Sequence, residues 1–314
     1  MSGIWWKTWC VVLAGGEGSR LAPLTHALCG RPIPKQFAVL TGNESLLQST
    51  LRRMTGVIAP ERTVVVVAEE YAGLAAAQLE QYAGVTIVTQ PRNLGTALGI
   101  LLGLAHVRAR APGARVVITP ADHYIPNPDP LYRQLARALC HGPNAITLAG
   151  VTADSAETEY GWIVPGAAIA EDLQEVQCFV EKPSAARATE LLAAGGLWNT
   201  FVFASSVPRL WRLFEDALPV PTHELWRCIK SGDPARLRAA YAQLAPANFS
   251  QDVLERCPEL RVTTVQNSGW TDFGSVERVL HSAAARPDVL QAGARLLASV
   301  ASRPPPPQAS GVAA

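Results

Sequence analysis

The sequence predicts an α/β fold, a Rossmann-like and mostly parallel sheet flanked by helices, in a single domain whose second half changes rhythm. Three observations predict it. Up to Thr119, short β-rich runs alternate with Ala/Leu-rich stretches that carry helical apolar spacing. A glycine-rich loop follows the first of those runs, where open α/β sheets bind their ligands. And 314 residues, 48% hydrophobic and only 17% charged, suffice for a large buried core and argue against a disordered chain.

In order along the chain, Cys10–Ala14, Thr63–Ala68, Val85–Thr89 and Arg115–Thr119 read as buried strands. Between them Ser45–Thr55, Glu70–Tyr82 and Thr96–Ala111 read as helices. Beyond Gly150, the stretch Gly161–Val164 and the stretch Gln174–Val180 read as strands with no long helix between them. A helix over Ser184–Ala194, a strand around Trp198–Phe203 and several helices through Val207–Arg256 follow. The last strand candidate is Leu260–Val265, and helices at Val276–Ala285 and Val289–Ser302 close the fold. Arg303–Ala314, with four consecutive prolines, is expected to be a disordered tail.

Charge and composition exclude several functions. Lys plus Arg number 27 against 26 Asp plus Glu, so there is no basic excess to neutralise a nucleic-acid backbone. The longest apolar stretch, Ala97 to Ala105, is half of what a bilayer needs, and the N-terminus lacks a signal-peptide pattern. The six cysteines, at 10, 29, 140, 178, 228 and 257, form no Cys-x-x-Cys and read as reduced thiols. A soluble, cytoplasmic protein with no nucleic-acid or membrane partner is expected. Apolar residues in Phe201–Phe214 and the C-terminal helices would either support a homodimer or belong to the core.

The loop Leu13-Ala14-Gly15-Gly16-Glu17-Gly18-Ser19-Arg20 follows the first strand. Its three glycines let the backbone turn through positive φ and present successive N–H groups to an anion. Arg20 adds a guanidinium that can fork onto phosphate oxygens. Neither a P-loop nor a full dinucleotide fingerprint is present, since Gly-Lys-Ser/Thr and the third spaced glycine are missing. A second cation, Lys35, stands on the Pro-stiffened stretch Arg31-Pro32-Ile33-Pro34-Lys35-Gln36-Phe37. Asp122 follows the strand Arg115–Thr119, and Asp272 follows the last strand candidate. Two carboxylates meeting over a phosphate cradle would suit a hard divalent cation such as Mg²⁺, with phosphates and water in its other positions.

At these residues the chain resembles the sugar-nucleotide pyrophosphorylases. Pro34-Lys35-Gln36-Phe37 followed by Gly42, Ser45-Leu46-Leu47-Gln48 and Thr50 is most similar to bacterial mannose-1-phosphate guanylyltransferases. The resemblance continues in family order through Pro120-Ala121-Asp122-His123, Glu181-Lys182-Pro183, Trp198-Asn199 and Trp270-x-Asp272-Phe273-Gly274. It implies a nucleotidyltransferase domain over 8–285, with a nucleotide-binding half (8–125) and a sugar-phosphate-binding half (126–285); the helix expected at 286–302 lies beyond it. It implies Mg²⁺ on Asp122 and Asp272, and Arg20, Lys35, Asp122 and Lys182 as catalytic residues. Leu13, Ala14, Gly15, Gly16, Gly18, Ser19, Arg20, Lys35, Gln90, Asn93, Gly95 and Thr96 would bind the nucleotide. Gly161, Glu181, Lys182 and Asn199 would bind the sugar phosphate, while Trp198 reads as packing and His123 as either packing or functional.

The pattern departs from the family in places. Ala22 stands where Trp is usual, the stretch from Arg20 to Lys35 is longer, and Thr200-Phe201 replaces Ser-Gly. Arg92-Asn93-Leu94-Gly95-Thr96-Ala97 is closer to the thymidylyl and uridylyl branches. The expected reaction is GTP plus α-D-mannose 1-phosphate giving GDP-mannose and pyrophosphate. UTP or dTTP with glucose 1-phosphate, or a non-catalytic sugar-nucleotide-binding regulator, remain open alternatives.

Overall fold

The computed structural model describes residues 2–142 and 145–284. The expected helix at 286–302, the end of the one at Val276–Ala285 and the tail at 303–314 lie outside those residues. Among the described residues one sheet of nine strands runs through both halves of the chain, in the order β3-β2-β1-β4-β8-β5-β9-β7-β6. The strands are β1 (Thr8–Ala14), β2 (Thr63–Ala68), β3 (Thr86–Gln90), β4 (Arg115–Pro120), β5 (Ile146–Thr152), β6 (Gly161–Ala170), β7 (Leu173–Glu181), β8 (Leu197–Ser206) and β9 (Leu260–Val265).

The first four strands are parallel neighbours, as their alternation with helices predicts. The second half makes the sheet mixed. β8 runs antiparallel between β4 and β5, and β6 and β7 form an antiparallel hairpin whose start also pairs with β8. Antiparallel insertion has a consequence for function. The start of β8, with Asn199, lies at the same edge as the carboxyl ends of β1 to β4. Residues far apart in sequence therefore share one rim.

Helices cover both faces, and strand periodicity assigns each side chain. Val11, Val64, Val66, Val116 and Ile118 pack with the helix Gly95–Arg110 on one face. Their neighbours Cys10, Val12, Val65, Val67 and Val117 pack with Leu47, Leu51, Met54, Leu79 and Leu135 on the other. The helix Gly95–Arg110 is buried nearly all round because the helices Val207–Ala217 and Pro219–Ser231 lie over it. Val202, Phe203, Leu210, Trp211, Leu213 and Phe214 are all buried, so the apolar stretch at 201–214 is core rather than a surface for a second copy.

Some elements exceed the sequence reading. The stretch between Arg20 and Lys35 holds a helix, Ala22–Cys29, opened by Pro23 near its N-terminus and closed by Gly30 at positive φ. A further helix spans Asp129–His141. The helix Leu46–Thr55 begins with a capping box in which Ser45 and Gln48 satisfy each other's backbone N–H.

Close packing at Gly103 is a test of the helix–sheet layer. A Cβ there would lie 2.5 Å from Cγ1 of Val11 and 3.0 Å from Cγ2 of Val66. Gly103→Leu should therefore destabilise the fold by about 1–3 kcal/mol or more, read as a lowered urea midpoint.

Candidate active site

One cavity of about 380 Å³ opens at the rim where β1, β2, β3 and β4 end. Its lining includes most residues singled out from the sequence: Leu13, Gly15, Gly16, Arg20, Lys35, Gln90, Asn93, Gly95, Thr96, Asp122, Gly161, Glu181, Lys182, Asn199 and Asp272. Gly18 and Ser19 line a smaller adjoining cavity, which shares Arg20, Lys35 and Asp122. Ala14 ends β1 beneath the glycine loop and is buried.

The glycine loop is held from below by Gln36, a residue the sequence reading gave no role. Its buried amide donates to the carbonyls of Ala14 (2.9 Å) and Gly16 (2.7 Å). Gly18 takes φ +60, and a Cβ there would come within 2.8 Å of the Lys35 backbone nitrogen. Glycine is thus required where the loop passes Lys35. Arg20 is turned outward onto Glu159, at 2.7 Å, in a pair that is half exposed at both ends.

Asp122 and Asp272 are brought together by a short bridge between their loops. Tyr124 and Thr271 exchange backbone hydrogen bonds of 2.9 and 3.0 Å, and the rings of Tyr124 and Phe273 stack at 5.1 Å. Lys35 fastens the same two loops. Its Nζ lies 3.1 Å from Oδ2 of Asp122 and donates to the carbonyl oxygen of Asp272 at 2.6 Å. Burial works to raise the Asp122 carboxyl, but Lys35 and His123 outweigh it and hold the group below the ordinary carboxylate range. Asp272 follows the same balance, with His123, Lys35, Arg278 and a bond from Tyr160 lowering it against burial.

Oδ1 of Asp272 accepts from the Tyr160 hydroxyl (2.9 Å), the Gly274 N–H (2.8 Å) and Arg278 (3.0 Å). Arg278 also reaches Glu157 at 2.6 Å and lies 4.4 Å over the Tyr160 ring. The three donors on Oδ1 fix how this carboxylate is turned. His123 is a packed, engaged residue. Its Nδ1 accepts from the Trp270 indole at 3.1 Å, which leaves the ring proton on Nε2, 3.7 Å from Asp122. Burial lowers its pKa, against the pull of the Asp122 and Asp272 carboxylates.

The far wall carries the second set. Gly161 and Glu181 are register partners in the β6–β7 hairpin, and a Cβ on Gly161 would lie 2.7 Å from Oε2 of Glu181. Burial pushes the Glu181 carboxyl up, partly countered by a bond from Ser250. Oδ1 of Asn199 accepts from the Phe201 N–H at 3.1 Å, so its amide NH₂ is the end left to donate. Lys182 takes φ +46, a conformation costly for a side-chain-bearing residue, beside this wall. Trp198 packs edge-on against Tyr160 (5.0 Å) and Trp162 (6.3 Å).

The segment Arg92–Ala97 is clamped rather than free. Arg92 bonds the carbonyl of Tyr241 at 2.9 Å, and the Phe249 N–H donates to Oγ1 of Thr96 at 2.9 Å. Gly95, at φ +85, passes so close to the Ala247 carbonyl that no Cβ fits. Sequence reasoning missed Gln36, Tyr160, Arg278 and Phe201. Two of these had a signal in the sequence: Gln36 stands inside the motif Pro34-Lys35-Gln36-Phe37, and Phe201 replaces the family's usual glycine.

A glycine loop, cations and two carboxylates thus meet around one cavity at the carboxyl rim of an α/β sheet. The chain belongs to the nucleotidyl transferase family, whose family model matches residues 9–287. It is 33% identical over 282 residues to the alginate biosynthesis protein AlgA of Pseudomonas aeruginosa, covering 84% of this chain and 56% of that protein. It is 30% identical over 284 residues to the mannose-1-phosphate guanylyltransferase of Escherichia coli, covering 86% of this chain and 58% of the relative. The chain thus spans little more than half the length of the curated relatives it matches. A crystal structure described as mannose-1-phosphate geranyltransferase from Thermus thermophilus superposes with a TM-score of 0.77 at 31% identity, covering 87% of this chain and 79% of that one.

The support beneath the glycine loop is open to test. Gln36→Leu removes the hydrogen bonds donated to the Ala14 and Gly16 carbonyls. A loss of about 1–3 kcal/mol is expected, measured by denaturant unfolding.

Proposed function

We propose that this chain is a mannose-1-phosphate guanylyltransferase, which joins GTP and α-D-mannose 1-phosphate into GDP-mannose and releases pyrophosphate. The observation that carries the proposal is the convergence of Lys35, Asp122 and Asp272 between the glycine loop and the Glu181–Lys182 wall. The relatives named above supply the choice of base and sugar.

A phosphate oxygen of the sugar 1-phosphate attacks the α-phosphorus of the nucleotide in line, and pyrophosphate leaves opposite. The attacking oxygen is already anionic, so the protein's task is to position the groups and neutralise charge. Lys182 draws the sugar phosphate toward an already negative nucleotide. Lys35 and the glycine loop hold the leaving phosphates, and Arg20 joins them by exchanging Glu159 for phosphate oxygens. An exposed ion pair of that kind is worth at most about 1 kcal/mol, so the exchange is easily driven. Glu181 accepts from one sugar hydroxyl and Asn199 donates to a neighbouring one.

Asp122 and Asp272 fit Mg²⁺. They are hard oxygen donors on adjoining loops, both ionised at neutral pH, and three donors hold the Asp272 carboxylate in place through its Oδ1. When bound, the cation would supply further neutralisation of the phosphates. In this reading the enzyme works in the cytoplasm on small molecules, with no nucleic-acid or membrane partner.

Pyrophosphate release with Mg²⁺ tests the proposal, pairing GTP, UTP, dTTP, ATP and CTP with mannose and glucose 1-phosphates. Release with GTP and mannose 1-phosphate is expected. Release confined to UTP or dTTP would move the assignment to the branch that Gly95-Thr96-Ala97 resembles. Silence in folded protein that binds GDP-mannose would favour a regulator. Asp122→Asn and Asp272→Asn should each cost about 3–4 kcal/mol at the transition state with folding intact, and wild-type rates in either would remove the metal assignment.

A further inference from the structure

We infer that the ring of Phe201 is a binding surface for the pyranose of the sugar 1-phosphate, retained there at the expense of backbone strain. The inference rests on the functional reading above and adds a residue to its sugar site.

Phe201 has φ +58, the left-handed region that a residue with a Cβ adopts only at a cost. The strain comes from a bulge. In the β5–β8 pair, Leu148 faces Phe203 and Gly150 faces Asn199, so Ala149 alone spans Thr200, Phe201 and Val202. Thr200 closes the bulge, its hydroxyl donating to the Ala149 carbonyl at 2.7 Å and accepting from the Val202 N–H at 3.2 Å. Glycine would satisfy this backbone without strain, so the bulge itself gives no reason for an aromatic side chain.

The side chain's surroundings supply one. Phe201 is half-buried, edge-on to Phe203 at 6.5 Å and to Phe249 at 6.1 Å, and it lines the cavity. It shares that cavity with Gly161, Glu181 and Asn199, the residues read above as the sugar-binding wall, and is joined to Asn199 through its own N–H. Its N–H holds Oδ1 of Asn199, so the turn that presents the ring also fixes which end of the Asn199 amide can donate. Glu181 and Asn199 supply the polar contacts, and the ring supplies the apolar one. A pyranose has C–H groups as well as hydroxyls, and an aromatic surface covers the former while excluding water.

Three variants separate ring from backbone. Phe201→Gly relaxes the backbone and removes the ring, Phe201→Leu keeps the strain but lacks a ring, and Phe201→Tyr keeps both. The KM for mannose 1-phosphate should rise about tenfold in the Gly and Leu variants and stay within about twofold in the Tyr variant, with the KM for GTP unmoved in all three. Thermal unfolding checks that each is folded. Unchanged sugar-phosphate KM values in the Gly and Leu variants, or a change confined to GTP, would overturn the inference. Wild-type protein is assayed first. If it turns over no nucleotide and sugar pair, the functional reading fails on its own, and calorimetric binding of mannose 1-phosphate to wild-type, Phe201→Gly and Phe201→Leu chains still decides the role of the ring.

Discussion

The site is organised around one cation. Lys35 lies between two acidic loops that are 150 residues apart, touching a carboxylate oxygen of Asp122 and the backbone carbonyl of Asp272. Without a positive charge there, two ionised carboxylates and a histidine with little room to charge would share a half-buried space, and burial would favour protonating one acid. Much of the surrounding structure serves to place this lysine. The helix Ala22–Cys29 takes up the long excursion after Arg20, and Pro34 directs the chain into the short turn Lys35–Phe37. Gln36 then ties that turn to the glycine loop. The phosphate cradle, the lysine and the paired carboxylates are thus one mechanically connected unit.

The parallel half of the fold was legible in the sequence because strands buried on both faces must be continuous apolar runs. Thr63–Ala68 is such a run, and every residue in it is buried. β5 escaped notice because Thr147, Gly150 and Thr152 dilute its apolar signal, although it is a central strand between β8 and β9. The direction of β8 could not be read at all, since alternation says which face a residue takes and not which way its strand runs. The helix at Ala22–Cys29 was hidden by its proline, which at the first turn opens a helix rather than breaking it.

Site residues divide along the same line. Glycines, lysines and aspartates at strand ends carry their chemistry in residue type and position, and the cavity gathers them. Tyr160 and Arg278 carry theirs in partners: both act through Asp272, and Arg278 also acts through Glu157. Nothing local marks a tyrosine that must bond an aspartate 112 residues away. Phe201 is a third kind. Its departure from the family pattern is visible in the sequence, but the positive φ that gives it meaning is visible only in the structure.

The proposed chemistry depends most directly on Asp122 and Asp272 jointly holding a divalent cation beside Lys35. Titrating Mn²⁺ as a spectroscopic substitute for Mg²⁺, with GDP-mannose present, measures that without any turnover. One tight site is expected in the wild-type chain, weakened at least about tenfold in both Asp122→Asn and Asp272→Asn while the fold is retained. Equal Mn²⁺ affinity in the wild type and both variants would contradict it.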